Sequence, residues 1–335
     1  MARIAIVTPA RAGSRNGNRH TALRWAALLR RAGHGVSVSV AWEGKRCDLL
    51  IALHARRSHE SVARYRRARP RGPLCVVLTG TDLYRDLPGS AAARDSLELA
   101  DCVIVLQSEA LRLLSPPLRR KTHVVHQSAD PRARQAPPAQ VFRVAVVGHL
   151  RAEKDPFRAA AALAHLPREA GIEVVQLGAA LSPAMEDEAR RRMAAERRYR
   201  WLGGVTHARA LGWLARSHLL VVSSRMEGGA NVIAEAARIG TPVLASRVPG
   251  NVGMLGRGYP GYYTLGDERA LARLMARAHE DAGFYRRLQR ALAARRGLFA
   301  PAAERSALSG ALRGILRSSS RTLARAAVPD QSSSP

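Results

Sequence analysis

Lysine is almost missing from this chain: it stands at Lys45, Lys121 and Lys154, and arginine supplies the remainder of the 54 basic residues. Acidic residues number 26, so the formal net charge is +28. An excess of that size first suggests nucleic acid or an anionic surface. The arginines, however, are scattered along the whole length among abundant alanines, which reads as a biased coding composition and not as a focused basic stripe. Aromatic residues make up only 4% of the chain, and no RNP-like aromatic motif, zinc-finger spacing or basic heptad region accompanies the charge. Those absences place specific nucleic-acid binding behind an enzyme that handles phosphorylated anions.

Long apolar runs are also lacking. None approaches the roughly 20 residues that cross a bilayer, so no membrane insertion is expected. The first run, "RIAIV", is too short for a signal-peptide core and leads straight into a polar loop, which gives a cytoplasmic expectation. The three cysteines, Cys47, Cys75 and Cys102, are widely spaced in apolar surroundings. They form no C-x-x-C pair and have no histidines at ligand spacing, so reduced buried thiols are expected and no metal site. Oligomeric state is not readable.

At 335 residues the chain has length for two domains with separate cores. Short apolar runs alternate with helical patterns: "RIAIVTP", typical of a buried parallel strand, is followed by "GHGVSVSV", "CDLLIALHA", "PLCVVLTGTD", "ADCVIVLQS" and "THVVHQSAD", the strands expected of a doubly wound α/β unit. Proline-rich "PRARQAPPAQ" then marks a linker. Alternation restarts with "FRVAVVGHL", "EVVQLGA", "RYRWLGGV", "HLLVVSS" and "TPVLAS". The expected domains are 1–135 and 141–296, followed by a C-terminal helix at 297–317 and a disordered tail at 318–335.

In doubly wound sheets ligands bind beyond the carboxyl ends of the strands, so the loops there carry the candidate chemistry. In "EGGANVIAE", Gly228 and Gly229 allow close backbone approach, and Asn231 is expected to cap the following helix. Free amides at that helix start, from Ala230 onward, suit a diphosphate. Glu227 and Glu235 are acceptor-only groups that suit paired sugar hydroxyls. The loop "GHLRAEKDP" offers His149, Arg151 and Lys154 as cationic or donor groups. In "GSRNGNRHT", Gly13, Arg15, Asn16, Asn18, Arg19 and Thr21 gather donors suited to an oxyanion. A polar helix start needs none of this density. Gln107 and Ser108 are further loop positions with weaker claims.

The stretch "SSRMEGGANVIAEAARIGTPVLAS" resembles the E-x7-E signature of the GT-4 group of nucleotide-sugar glycosyltransferases. "GHGVSV", "ADCVIVLQSEAL", "VAVVGHLRAEKDPFRAAAAL" and "WLGGV" follow in that group's order. The resemblance implies the GT-B fold, with two Rossmann-like domains facing a cleft, and a metal-independent reaction with a UDP-sugar as substrate and no cofactor. It implies Glu235 on the nucleotide ribose, Glu227 on the donor sugar and Lys154 on the diphosphate. His149 stands where the group usually has arginine, and Arg151 is the nearby substitute. Related transferases also imply His54 and Asp82, at two strand ends, as catalytic groups facing the cleft near the acceptor or the donor sugar. "GNRHTALRW" with "GHLRAEKDP" resembles the narrower family of selenosugar synthases of selenoneine biosynthesis, which implies selenophosphate as the acceptor. A GT-4 transferase with a hydroxyl acceptor is the nearest alternative. UDP-glucose and UDP-N-acetylglucosamine both remain open as donors.

Overall fold

The computed structural model describes residues 1–11, 13 and 17–326, with side chains to residue 316. The chain divides into two compact units, one of Met1–His126 with Glu304–Pro335 and one of Gln127–Ala303. Both are doubly wound α/β units built on six parallel strands.

In the first unit the strands are β1 (Arg3–Val7), β2 (Gly35–Ser39), β3 (Leu49–Leu53), β4 (Leu74–Leu78), β5 (Cys102–Val105) and β6 (Thr122–Val124), in the order β2-β1-β3-β4-β5-β6. Every residue of β3, β4 and β5 is buried, because helices cover both faces of a parallel sheet. Alternate side chains feed two cores. Ile4, Ile6, Leu49, Ile51 and Val77 meet Trp25 and Leu29 of the helix Gly17–Arg31. Ala5, Val7, Leu50, Ala52 and Val76 meet Val62, Tyr65 and Leu97 of helices His59–Ala68 and Ala91–Leu99. Cys47, Cys75 and Cys102 are buried and free.

The last helix, Pro301–Ala326, joins the first of these cores through Leu308, Ala311 and Leu312. Trp25 Nε1 donates to Glu304 Oε1 at 2.8 Å, which gives the buried carboxylate a partner. The helix runs past residue 317, where the expected tail begins. "RTLARA" consists largely of helix formers, and the next breaker is Pro329, so nothing local ends the helix earlier.

The second unit has β7 (Phe142–Val147), β8 (Ile172–Leu177), β9 (Tyr199–Trp201), β10 (Leu219–Val222), β11 (Val243–Ser246) and β12 (Tyr262–Tyr263), in the order β12-β11-β10-β7-β8-β9. Strand β12 has only two residues and carries no periodic signal in the sequence. The segment expected as a free linker belongs to this unit: Ala129 N donates to Phe299 O at 3.1 Å, Gln135 N donates to Ala215 O at 3.1 Å, and the Arg134 guanidinium bonds Thr241. Lacking periodic structure, the proline-rich stretch satisfies its polar groups by lying on the unit's surface. The boundary accordingly falls at 126/127 and not at the expected 135–141.

Strand order fixes where each unit can bind a ligand. In the second sheet the chain winds outward through β8 and β9, then returns to β10 on the other side of β7. Consecutive loops diverge at the carboxyl ends of β7 and β10, leaving a crevice. In the first sheet the same divergence lies between β1 and β3.

Candidate functional site

The two loops flanking the second unit's crevice are "GHLRAEKDP" after β7 and "SSRMEGGAN" after β10. They are joined where they diverge: the Lys154 ammonium donates to Glu227 Oε1. Ser224 Oγ donates to the same oxygen at 2.6 Å. Glu227 Oε2 has no protein partner in that set, and the side chain is 8% exposed. Ser223 Oγ holds the backbone of the neighbouring turn through Lys154 O at 3.1 Å and Asp155 O at 2.8 Å. Asp155 closes that turn in the left-handed region, at φ 42°, and Arg225 N donates to Glu153 O at 2.9 Å. The lysine is therefore locked against the glutamate by a backbone brace as well as by charge.

A third loop supports the pair. Ser246 Oγ donates to Ser224 O at 2.6 Å, and the buried Asn251 amide donates to Ser246 O and Oγ, each at 3.0 Å. Gly250 lies so close to Glu227 that a Cβ there would stand 1.9 Å from Glu227 O. Gly178, after β8, is equally tight, since a Cβ would meet Gly148 O at 2.0 Å. Four loops thus interlock at the carboxyl edge of the sheet. The small cavity among them is lined by Gly148, Gln176, Lys154, Ser223, Ser224 and Glu227.

The helix Asn231–Ile239 begins at the far side of the β10 loop. Its cap position is Ala230, in extended conformation, and no side chain caps it. This corrects the expectation for Asn231, which is the first helical residue with a buried Oδ1 that has no hydrogen-bond partner. With Gly229, Ala230 and Asn231 in place of a capping hydroxyl or carboxylate, first-turn amides stay available to an anion. Gly228 and Ala230 are buried and Gly229 is half-buried. One turn on, Glu235 is 11% exposed, and its Oε1 lies 2.8 Å from His207 Nε2.

The two other groups of the β7 loop differ in role. His149 Nδ1 accepts from Ala179 N at 3.2 Å, tying this loop to the one after β8. Arg151 is exposed and its guanidinium has no hydrogen bond or ion pair among the described residues. It is the freer cation.

In the first unit the expected catalytic groups look different. Asp82 is fully buried. Its Oδ1 accepts from Thr79 N at 2.8 Å, Gly80 N at 2.8 Å and Leu83 N at 3.1 Å, and its Oδ2 from Ala55 N at 3.1 Å. Held in this way, the carboxylate organises the loops after β3 and β4. His54 is 1% exposed and sits in the left-handed region at φ 73°, a strained conformation for a residue with a side chain. Its Nδ1 accepts from Arg57 N at 3.3 Å, and its Nε2 lies 3.2 Å from Thr81 Oγ1 and 3.8 Å from Asp86 Oδ2. Burial pushes the imidazole below its ordinary pKa, against the opposing pull of Asp82. Both histidine nitrogens are occupied, so His54 shapes the β3 end from beneath.

Of the loop after β1, Gly13 is described at φ 84°, and Asn18 and Arg19 lie in the first turn of the helix Gly17–Arg31. Thr21 is buried and donates its hydroxyl to Gly17 O, one turn back in its own helix, at 2.8 Å. Arg15 and Asn16 lie outside the described residues. Gln107 caps a helical turn through Glu109 N at 2.6 Å and Ala110 N at 3.2 Å, a structural task.

Residues 129–295 match the family described as Glycosyl transferases group 1. The matched stretch spans nearly the whole of the second unit, which is therefore similar to a group 1 glycosyl transferase domain. Across both units the chain is similar in fold to Anabaena HepE in complex with UDP-glucose, at 18% identity, covering 97% of this chain and 100% of that one with a TM-score of 0.69. It is likewise similar to sucrose-phosphate synthase from Thermosynechococcus elongatus, at 17% identity, 95% and 100% coverage and a TM-score of 0.74. A glycosyltransferase from Rickettsia africae shares the fold at 13% identity, 94% and 98% coverage and a TM-score of 0.72. No curated protein matches the sequence. The two doubly wound units are those of the GT-B fold, and the second carries Lys154, Glu227 and Glu235. Among the described residues no helix is long and apolar enough to cross a membrane, and no group of three or more His, Cys, Asp or Glu could hold a metal ion.

The sequence did not single out Ser223, Ser224, Ser246, Asn251, Gly250 or His207. Serine and asparagine at strand ends carry no distinctive spacing. "VPGNVG" after β11 did offer a signal, because a glycine following proline at a helix start invites the question of what approaches it.

Proposed function

We propose that the chain transfers the sugar of a UDP-sugar to selenophosphate, forming a selenosugar. The observation that carries the donor half is the Lys154–Glu227 pair, held across the crevice at the diverging ends of β7 and β10. Lys154, Arg151 and the uncapped amides at Ala230 and Asn231 receive the diphosphate. Glu235 accepts from the ribose hydroxyls, and Glu227 Oε2 accepts from a hydroxyl of the donor sugar. As the anomeric carbon–oxygen bond breaks, the departing diphosphate is neutralised by these groups, and no metal is assigned a role. HepE, which shares the fold, has been captured with UDP-glucose.

The acceptor half rests on the resemblance of "GSRNGNRHT" and on the first unit's own diverging strand ends, where Gly13, Asn18 and Arg19 lie. Selenium of the selenophosphate attacks the anomeric carbon, forming the carbon–selenium bond and releasing UDP; water then cleaves selenium from phosphorus to give phosphate. A hydroxyl acceptor calls for a base, whereas selenophosphate arrives anionic. The Asp82 carboxylate is already held by four backbone amides, which fits an acceptor that arrives with its own charge.

Incubation with UDP-N-acetylglucosamine or UDP-glucose, with and without selenophosphate, followed by mass spectrometry, tests this. UDP release should depend on selenophosphate and accompany a product with the selenium isotope pattern. Selenophosphate-independent UDP release, sustained by an added alcohol, would establish the hydroxyl-acceptor alternative instead.

A further inference from the structure

His207 is the first residue of the helix His207–Ala215, which follows β9 and the Gly203–Gly204 turn. Thr206 Oγ1 caps that helix by accepting from Arg209 N at 3.3 Å, which fixes where the imidazole starts. The side chain is 65% exposed, yet its Nε2 lies 2.8 Å from Oε1 of Glu235, a carboxylate only 11% exposed that comes from a different helix. The β9 loop also borders an open recess lined by Ala179, Glu186, Arg190, Trp201 and Gly204. His207 is therefore a largely exposed group that reaches a nearly buried carboxylate from the loop after β9.

We propose that His207 is a positioning residue for the nucleotide ribose: its Nε2–H holds Glu235 Oε1, which directs the remaining lone pairs of that carboxylate at the 2′- and 3′-hydroxyls. The inference rests on the assignment of Glu235 to the ribose. A carboxylate on a flexible three-carbon stem samples several rotamers, and one fixed hydrogen bond removes most of them before the ligand binds. The imidazole thereby sharpens preference for a ribonucleotide over its 2′-deoxy counterpart. It touches neither the sugar being transferred nor the diphosphate, so it sets donor affinity and not the rate of the bond-breaking step.

The test compares wild type, His207→Ala, His207→Gln and Glu235→Ala by calorimetric titration with UDP and with 2′-deoxy-UDP, together with kcat and KM for the UDP-sugar. His207→Ala should weaken UDP about tenfold, weaken 2′-deoxy-UDP, which keeps only the 3′-hydroxyl, by about threefold, and raise KM with kcat nearly unchanged. In His207→Gln, whose amide can donate to the same oxygen, most of the UDP affinity should return. Equal weakening of both nucleotides, or none of either, overturns the role of His207 while leaving the donor site standing. If Glu235→Ala binds UDP as wild type does, the ribose assignment itself falls and this inference with it.

Discussion

Gly250→Ala offers a severe check on how the site is held, because the added Cβ meets the backbone of Glu227 while every charged and polar side chain of the site is left in place. A Cβ on residue 250 would sit 1.9 Å from Glu227 O, 2.7 Å from Glu227 C and 2.6 Å from Glu227 Cβ. Ordinary contact begins near 3.4 Å, so the two segments must part by about 1.5 Å, and the obstacle is backbone that cannot swing aside as a side-chain tip would. The turn bearing Glu227 is pinned by Ser224, Ser246 and Asn251, so the shift spreads into the Lys154–Glu227 pair. Overpacking of this kind costs about 1–3 kcal/mol of stability, and displacement of a binding group by about 1 Å costs on the order of 100-fold in rate. We therefore expect kcat/KM for the UDP-sugar to fall about 100-fold or more, with a lowered unfolding temperature. Gly258→Ala is the matched control, since a Cβ there meets nothing within 4 Å and should change neither quantity appreciably. The readouts are UDP release under steady-state conditions and calorimetric unfolding of both variants. Wild-type turnover in Gly250→Ala would refute the claim that Glu227 is held by close backbone packing.

Other outcomes follow from the same contacts. Lys154→Ala should reduce kcat about 100- to 1,000-fold, the usual cost of removing a group that stabilises developing charge, and chelator should leave wild-type UDP release unchanged. Asp82→Ala should destabilise the first unit by about 3 kcal/mol or more, because four backbone amides lose a charged acceptor; denaturant titration checks this, and a variant of wild-type stability with lost turnover would place Asp82 in the chemistry. Stability should also depend on acid. His218 stacks on Phe142 at 4.5 Å and accepts from Arg143 N at 3.0 Å, and burial, then Arg134, lowers its pKa from 6.5 to about 4. The unfolded chain then binds the proton more readily, so this group's contribution is complete above pH 6.5 and is lost as pH falls towards 4. Denaturant melts across that range should show a shallower acid loss in His218→Asn, which keeps an acceptor near Arg143 N without a titrating ring.

The inner strands were legible because they are buried on both faces and so read as unbroken apolar runs; "LLIAL" and "LCVVL" needed no periodicity to be recognised. The two-residue strand β12 was not, since Tyr262 and Tyr263 pair only through their neighbours in β11. Glu227, Glu235 and Lys154 could be found because acidic residues flanking glycines, and a lysine among arginines, stand out locally. Their supports could not. Ser246 and Asn251 act on Glu227 through a loop some twenty residues later in the chain, and His207 reaches Glu235 from an earlier strand end. Asp82 was ambiguous for the opposite reason: a carboxylate that accepts four backbone amides and one poised for proton transfer are the same letter at the same strand end. The proline-rich segment at 131–140 was read correctly as aperiodic, yet aperiodic chain can still be bound to a surface.

The helix Pro301–Ala326 imposes an order of events on the chain as it emerges from the ribosome. The sheet of β1 to β6 is complete in sequence by Val124, but one face of it is closed by Leu308, Ala311 and Leu312, whose codons come only after the whole of the second unit. Until they are translated, Ile4, Ile51 and Trp25 have an unfinished cover, so a released chain truncated after Ala303 should contain a folded second unit and a first unit that a holdase chaperone still recognises.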